Sequence, residues 1–354
     1  MGGQKHSRSE AFYRQLPKVE LHRHLEGSLR VRTMMEIVRA HDIDVEDTGI
    51  LRPLVQVEQE DDYTFENFLA KFGTLRLFYK SPHIIRRITR EAIQDAAEDH
   101  VRYLELRFTP VALSQAENFP IHHVVDWVID STKTASEQYG ITVRLILSIN
   151  RHESMAQAEQ VAELAVERMD DGVVGLDLAG NEAEFGAKPF QSLFEEVRRE
   201  GLNVTIHAGE WGGAGNVREA IQSLQADRVG HGVRILEDPR VVDLAREKRV
   251  PFEVCVTSNH HSGVVDTIRD HPISKMLEEG LNVTINTDDP SISRITLGHE
   301  YQTVTETLGL PIWLLRERVL AAVRASFLSP PERQRLGQEI STTFSKRMMA
   351  EDIR

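Results

Sequence analysis

The 354-residue chain contains one cysteine, Cys255. An internal disulfide is therefore impossible, and so is a metal knuckle built from several cysteines. Any metal has to be held by histidine and carboxylate, and 15 histidines are present. No apolar run approaches the ~18 residues that a membrane span requires. Residues 1–10 are polar and charged, which does not suit the apolar core of a secretory signal. Myristoylation of Gly2 prefers Ser or Thr where His6 stands. A flexible segment over 1–10 and a cytoplasmic location, which also suits one reduced thiol, are expected. Positive charge is scarce too, with 42 Lys and Arg against 55 Asp and Glu for a net of -13. Such a surface repels phosphate backbones and anionic lipid, so neither nucleic acid nor a membrane is the expected partner. A small neutral or cationic ligand fits better.

What is present is ordinary for a folded protein: 40% hydrophobic and 27% charged residues. The length allows two domains, or one barrel of ~250 residues with insertions. No Gly/Ser linker or low-complexity run marks a boundary, so residues 1–354 are read as a single domain. Short apolar, β-rich runs recur at 19–21, 103–108, 143–149, 173–178, 204–206, 228–230, 252–256 and 283–285. They are continuous rather than alternating, as in strands buried on both faces of a parallel sheet. Amphipathic helical stretches lie between the later ones, at 155–169, 191–200, 217–225 and 240–248. The run Gly201-Leu202-Asn203-Val204-Thr205-Ile206 is nearly repeated at 280–285, a Gly ending a helix before each strand. A doubly wound sheet is the alternative, but no Gly-x-Gly-x-x-Gly turn follows the first strand. The expected fold is an α/β (β/α)8 TIM barrel, with extra helices after the first strand and at the C-terminus. The insertion, 27–100, includes an aromatic-rich segment at 63–72 that reads either as core packing or as a lid. Residues after Pro311 read as terminal helices, with Ser329-Pro330-Pro331-Glu332 a helix start.

Four of the expected strands end in ionisable residues. The first gives His22-Arg23-His24-Leu25-Glu26-Gly27, the fifth His207-Ala208-Gly209-Glu210, the sixth His231-Gly232 and the eighth Thr287-Asp288-Asp289-Pro290. In a barrel, the C-terminal strand ends are where active sites are built. His22 and His24 are two apart, so both imidazoles leave one face of the strand. With His207 and Asp288 they complete three histidines and an aspartate suited to a divalent ion. Taken singly, each also reads as a packed histidine or a helix cap. Glu210 reads as a loop acid or as a carboxylate facing the metal. His231 reads as a core histidine or as a group that orients or deprotonates a metal-bound water. If strand geometry persists, Asp288 and Asp289 point in different directions, one to metal and one to substrate or His231.

Together these motifs resemble the adenosine deaminase family of metal-dependent barrel hydrolases. The resemblance runs from Leu16-Pro17-Lys18-Val19-Glu20-Leu21-His22 to Asp289-Pro290. It takes in Phe68-Leu69-Ala70-Lys71-Phe72, Gly175 to Gly180, Val229-Gly230-His231-Gly232 and Thr257-Ser258-Asn259. It implies a (β/α)8 barrel and one zinc per chain, with His22, His24, His207 and Asp288 as ligands. It implies catalytic roles for Glu210, which protonates purine N1, for His231, which activates and orients the zinc water, and for Asp289, which meets that water and N7. Substrate contacts are implied for Gly180, through its N–H to N3, and for His24 and Glu26, towards the ribose 5′-hydroxyl, as well as for Asp289. The implied substrate is a purine nucleoside, adenosine or 2′-deoxyadenosine. One cysteine also excludes the other deaminase architecture, whose zinc needs paired cysteines. Two positions depart from the family pattern: Glu26 and Asn181 stand where Asp is usual.

Adenine, or a modified adenosine such as aminodeoxyfutalosine, is the neighbouring substrate reading, because Glu26 is shared with adenine deaminases. A binuclear barrel hydrolase would want a Lys after the fourth strand, where Leu178-Ala179-Gly180-Asn181 has none. A metal-containing binding protein without catalysis would not need Glu210, His231 and Asp289 together.

Overall fold

Burial on both faces explains why the strand-forming runs are mostly apolar, and the computed structural model turns all eight into strands. It describes residues 8–352. Most of the segment expected to be flexible, 1–10, lies outside those residues. Within them, Ser9 accepts a hydrogen bond from the Phe12 amide and caps a helix at Glu10–Gln15.

The strands are β1 (Lys18–His24), β2 (Val101–Phe108), β3 (Thr142–Asn150), β4 (Val173–Ala179), β5 (Asn203–Ala208), β6 (Arg228–His231), β7 (Pro251–Val254) and β8 (Asn282–Ile285). Each pairs in parallel with the next, in chain order. Helices cover the outside, at Met155–Glu167, Gln191–Arg199, Ala214–Gln222 and Pro239–Lys248 among others. Gly201 and Gly280 adopt φ of 93° and 77°, the left-handed turn that ends a helix before β5 and β8. This is a (β/α)8 barrel, as expected.

The seam is closed by backbone rather than by a ladder. Arg23 bridges Asp288, His24 N–H donates to the Asp288 carbonyl at 2.9 Å, and Asp288 N–H donates to the His22 carbonyl at 2.9 Å. The interior below the seam is charged. Glu253 on β7 touches His22 on β1 (2.7 Å), Arg107 on β2 (2.8 Å), Thr205 on β5 (3.2 Å) and Arg228 on β6 (2.5 Å). A single carboxylate reaching four strands must point into the barrel. Arg228 also pairs with Glu105 and donates to the Ala325 carbonyl at 2.9 Å, while Glu105 accepts from Phe327 N–H at 2.7 Å. The link between the terminal helices Ile312–Ala325 and Pro330–Asp352 thereby plugs the end of the barrel opposite the strand C-termini.

Between β1 and β2 the chain forms four α-helices, Val31–Ala40, Thr48–Val55, Phe65–Leu75 and Pro82–Glu98. Thr64 and Ser81 cap the last two through their hydroxyls. The helix Phe65–Leu75 is fastened by Lys71, which pairs with Asp61 at 2.8 Å and donates to the Pro53 carbonyl at 2.6 Å. No helix among the described residues is long and apolar enough to cross a membrane.

Candidate active site and metal centre

A cavity of about 230 Å³ opens at the C-terminal ends of the strands. His24, Glu26, Gly180, His207, Glu210, His231, Asp288 and Asp289 line it, with Phe68, Leu69 and Phe72 from the inserted helix on one side. Trp211 also lines it, and Phe65 at the start of the same helix lies against the Trp211 ring, centroids 5.5 Å apart. His22 lies beneath, fully buried.

His22 and His24 leave the same face of β1, as their spacing requires. Nε2 of His22 and Nε2 of His24 lie 3.1 and 3.3 Å from Oδ1 of Asp288, and the Nε2 atoms of His24 and His207 are 3.3 Å apart. One ligand atom from each of His22, His24, His207 and Asp288 falls within 4.8 Å of all the others. Three nitrogens and one oxygen converging in this way suit a divalent ion such as zinc. The surroundings fit as well. Nδ1 of His22 is held by Glu253 at 2.7 Å and Nδ1 of His207 by Asp177 at 2.9 Å, which leaves each Nε2 free to ligate. Burial opposes ionisation of Asp177, but His207 and Arg107 outweigh it and hold the carboxyl below its ordinary range. Glu253 is likewise held well down against burial by Arg107, Arg228 and His22. Burial pushes His24 well below the usual imidazole range, so its ring offers a lone pair.

Asp288 and Asp289 do not follow strand geometry. β8 ends at Ile285, and Asp288 turns into the left-handed region at φ 68°, so both carboxylates face the cavity. The conditional expectation of divergent directions is thus replaced by convergence. His231 is also left-handed, at φ 58°. Such backbone costs on the order of 1–3 kcal/mol and is held only where the surroundings enforce it. The methyl-free Gly27 admits Asp289: a Cβ there would lie 1.8 Å from Oδ1 of Asp289.

Burial, then Asp288 and Glu182, push the Glu210 carboxyl well above its ordinary range. Its Oε1 accepts from Ser262 Oγ at 3.2 Å and from Asn259 Nδ2 at 3.5 Å, and its Oε2 lies 3.5 Å from His231 Nε2. Burial, with Asp288, Glu26 and Glu210 adding, raises Asp289 in the same way. Burial also raises Glu26, opposed by the Thr109 amide on its Oε1 at 2.6 Å, while its Oε2 has no hydrogen-bond partner. The cavity therefore gathers carboxyl groups that burial pushes towards the protonated form beside Asp288, which the surrounding histidines push the other way against burial, an acid–base division set by environment.

Several residues of the site carried no assigned role in the sequence reading. Glu182 accepts from the amides of Gly209 (2.9 Å), Glu210 (2.6 Å) and Trp211 (2.9 Å), fixing the loop that presents Glu210. Asp177 and Glu253 orient the histidines, and Asn259 and Ser262 hold Glu210. Asp177 and Glu253 did leave a signal. An acid inside an otherwise apolar strand is too costly to bury unpaired, so each announces a partner.

A protein-family model described as adenosine deaminase matches residues 17–343. The adenosine deaminase of Erwinia tasmaniensis is 36% identical over 323 residues, covering 90% of this chain and 96% of that one. The crystal structure of adenine deaminase from Arthrobacter aurescens superposes with a TM-score of 0.85 at 26% identity, covering 92% of this chain and 98% of that one. The Arabidopsis N6-mAMP deaminase does so with a TM-score of 0.83 at 27% identity, covering 94% and 99%. The matched residues take in all eight strands and every residue of the site, and the chain belongs to the adenosine deaminase family.

Proposed function

We propose that this protein hydrolyses adenosine and 2′-deoxyadenosine to inosine and 2′-deoxyinosine, releasing ammonia. One zinc per chain would be held by His22, His24, His207 and Asp288. The observation that carries the reading is the geometry of Glu210, a buried carboxyl 3.5 Å from Nε2 of His231 beside that donor set, where burial favours its protonated form. Zinc held there supplies acidification, lowering the pKa of a water to about 7.

The chain's own residues do the rest. Hydrogen bonds on Oε1 of Glu210 leave its proton on Oε2, facing the cavity, from which it passes to purine N1 as water adds to C6. His231, with Nε2 3.5 Å from Glu210 and 3.9 Å from Asp288, orients that water. Protonated Asp289 donates to N7, and the Gly180 N–H meets N3. One proton of the acidified water goes to solvent as its oxygen bonds C6. The Glu210 carboxylate then takes the proton of the new C6 hydroxyl and hands it to the amine. The C6–N bond breaks with release of ammonia, a 6-oxopurine protonated on N1 remains, and solvent reprotonates Glu210. His24 and the free Oε2 of Glu26 face the sugar end. Phe65, Phe68 and Phe72 act as a lid that keeps bulk water from the base. An unpaired thiol, buried at Cys255, suits a cytoplasmic enzyme.

The 36% identical relative is named for adenosine, which favours the nucleoside. A second reading, a modified adenosine with an anionic 5′-extension, is favoured by Arg76, which lines the cavity with no carboxylate paired to its guanidinium among the described residues. One experiment decides between them. Zinc-loaded protein is offered adenine, adenosine and 5′-extended adenosines, and kcat/KM is compared. Adenosine should lead, and absence of turnover on every 6-aminopurine would overturn the proposal.

A further inference from the structure

Behind the cavity, Asn259 is buried between two histidines. Its Nδ2 lies 3.0 Å from Nδ1 of His231 and 3.5 Å from Oε1 of Glu210, and its Oδ1 lies 3.2 Å from Nε2 of His271. His271 is buried as well, and its Nδ1 accepts the Ile273 backbone N–H at 3.2 Å.

The directions of these bonds are forced. A backbone N–H can only donate, so Nδ1 of His271 carries no hydrogen and the ring's single N–H is on Nε2. That N–H needs an acceptor, which places the oxygen of the Asn259 amide on the His271 side. The amide nitrogen must then face His231 and Glu210. The flipped amide would set N–H against N–H on one side and oxygen against carboxyl oxygen on the other. With an amide hydrogen on it, Nδ1 of His231 is an acceptor. Both the Nδ1–H tautomer and the imidazolium are thereby excluded, and the proton of His231 sits on Nε2, the nitrogen facing Glu210 Oε2 and Asp288 Oδ2.

We propose that His271 is a positioning residue which, through the amide of Asn259, fixes the Nε2–H tautomer of His231 and places the proton of Glu210 on Oε2. His231 then meets the reacting water as a hydrogen-bond donor. The inference rests on the deaminase reading for its kinetic consequence, but not for the tautomer itself. Burial alone pushes His271 down to about 3, so it stays neutral and its Nδ1 remains an acceptor across the working range.

Two measurements test this. In protein labelled with 15N-histidine, the ring nitrogens of His231 and His271, assigned from single-site variants, should each show a bare Nδ1 and a protonated Nε2. A protonated Nδ1 on either ring overturns the proposal, whatever the substrate. In kinetics, His271→Leu should lower kcat by about tenfold or more with KM near wild type, because it removes the bond that orients the amide. His271→Gln, whose side-chain N–H sits close to that of the imidazole, should restore most of kcat. Asn259→Asp keeps the shape and still accepts from His271 but cannot donate to His231, so kcat should fall again. Equal losses in His271→Leu and His271→Gln, moving together with Tm, would mean a packing role and overturn the proposal. Wild-type protein inactive on every 6-aminopurine would instead sink the deaminase reading, leaving the labelled-nitrogen result to decide the tautomer.

Discussion

The backbone N–H of Asp288 donates to the carbonyl of His22 at 2.9 Å, so the seam that closes the barrel and the proposed metal ligands share one stretch of chain. β1 and β8 have no ladder between them; the bridge at Arg23 and Asp288 joins them. A metal pulling His22, His24 and Asp288 together therefore also tightens the seam. Chelation should abolish activity and speed amide exchange at His24 and Asp288 while leaving the β3–β4 amides unchanged. Zinc should reverse both effects. Uniform exchange before and after chelation would argue against the coupling.

Glu253 extends the same logic inward, because it holds Nδ1 of His22 and neutralises Arg107 and Arg228. Glu253→Gln keeps the shape and removes the charge. Metal affinity, measured by competition with a chelator, should fall roughly 10–100-fold, the usual effect of losing a carboxylate behind a ligating histidine. Arg228 would keep Glu105 and Arg107 would keep Asp177 at 3.4 Å, so each buried guanidinium loses one of two counter-ions. Stability in denaturant unfolding should therefore fall by less than the ~3–5 kcal/mol of a fully broken buried pair.

That network shows what could and could not be read from sequence. β1, β4 and β5 were legible because burial on both faces demands apolar runs, and His22, His24, His207 and Glu210 stood out at or just beyond the ends of those runs. Their assembly was not, because Glu253, Arg107 and Arg228 sit on three strands far apart in sequence and meet only when the barrel closes. That Asp289 faces the same cavity as Asp288 was not legible, for a local reason. The alternation rule holds only while the strand continues, and the chain leaves it after Ile285 for a left-handed turn at Asp288. Asn259 lay inside a motif already singled out, but its partner His271 is reached only through the turn after Val256–His261.

Glu182 is the next test, since its carboxylate accepts three consecutive amides of the loop carrying Glu210 and also the Asn216 side chain at 2.9 Å. Hydrogen bonds to a charged acceptor contribute about 1.5–3 kcal/mol each. Glu182→Ala should release the loop and lower kcat at least tenfold, with metal content unchanged by elemental analysis. Glu182→Gln keeps acceptor capacity and should fall between. An alanine variant with wild-type kcat would show that the loop holds itself.

Glu300 gives a pH signature away from the metal site. Burial raises it to about 7 from an ordinary 4.5, opposed by the hydroxyl and amide of Thr257. A carboxyl raised in the folded state stabilises fully below the unfolded value and loses that contribution as pH climbs through the folded one. The loss therefore falls between about pH 4.5 and 7, and amounts to on the order of 3 kcal/mol for a shift of this size. Unfolding free energy measured at pH 5 and pH 8 should drop by that much more in wild type than in Glu300→Gln. Identical drops would show that Glu300 does not titrate in this window.

Gly27 offers a test of how tightly the cavity is fitted. It lies in the turn Glu26–Ser28 directly against Asp289, and an added Cβ would fall 1.8 Å from Oδ1 and 2.4 Å from Cγ of that carboxylate. No side chain tolerates such distances, so Gly27→Ala must push either Asp289 or the turn carrying Glu26 out of place. The barrel itself does not depend on this contact, because its strands pair elsewhere. Circular dichroism and zinc content should therefore match wild type, while kcat/KM falls. A displacement near 1 Å at a reacting group costs about 100-fold. Full activity in Gly27→Ala would mean that the contact between Asp289 and the purine is not needed, which would remove Asp289 from the proposed mechanism.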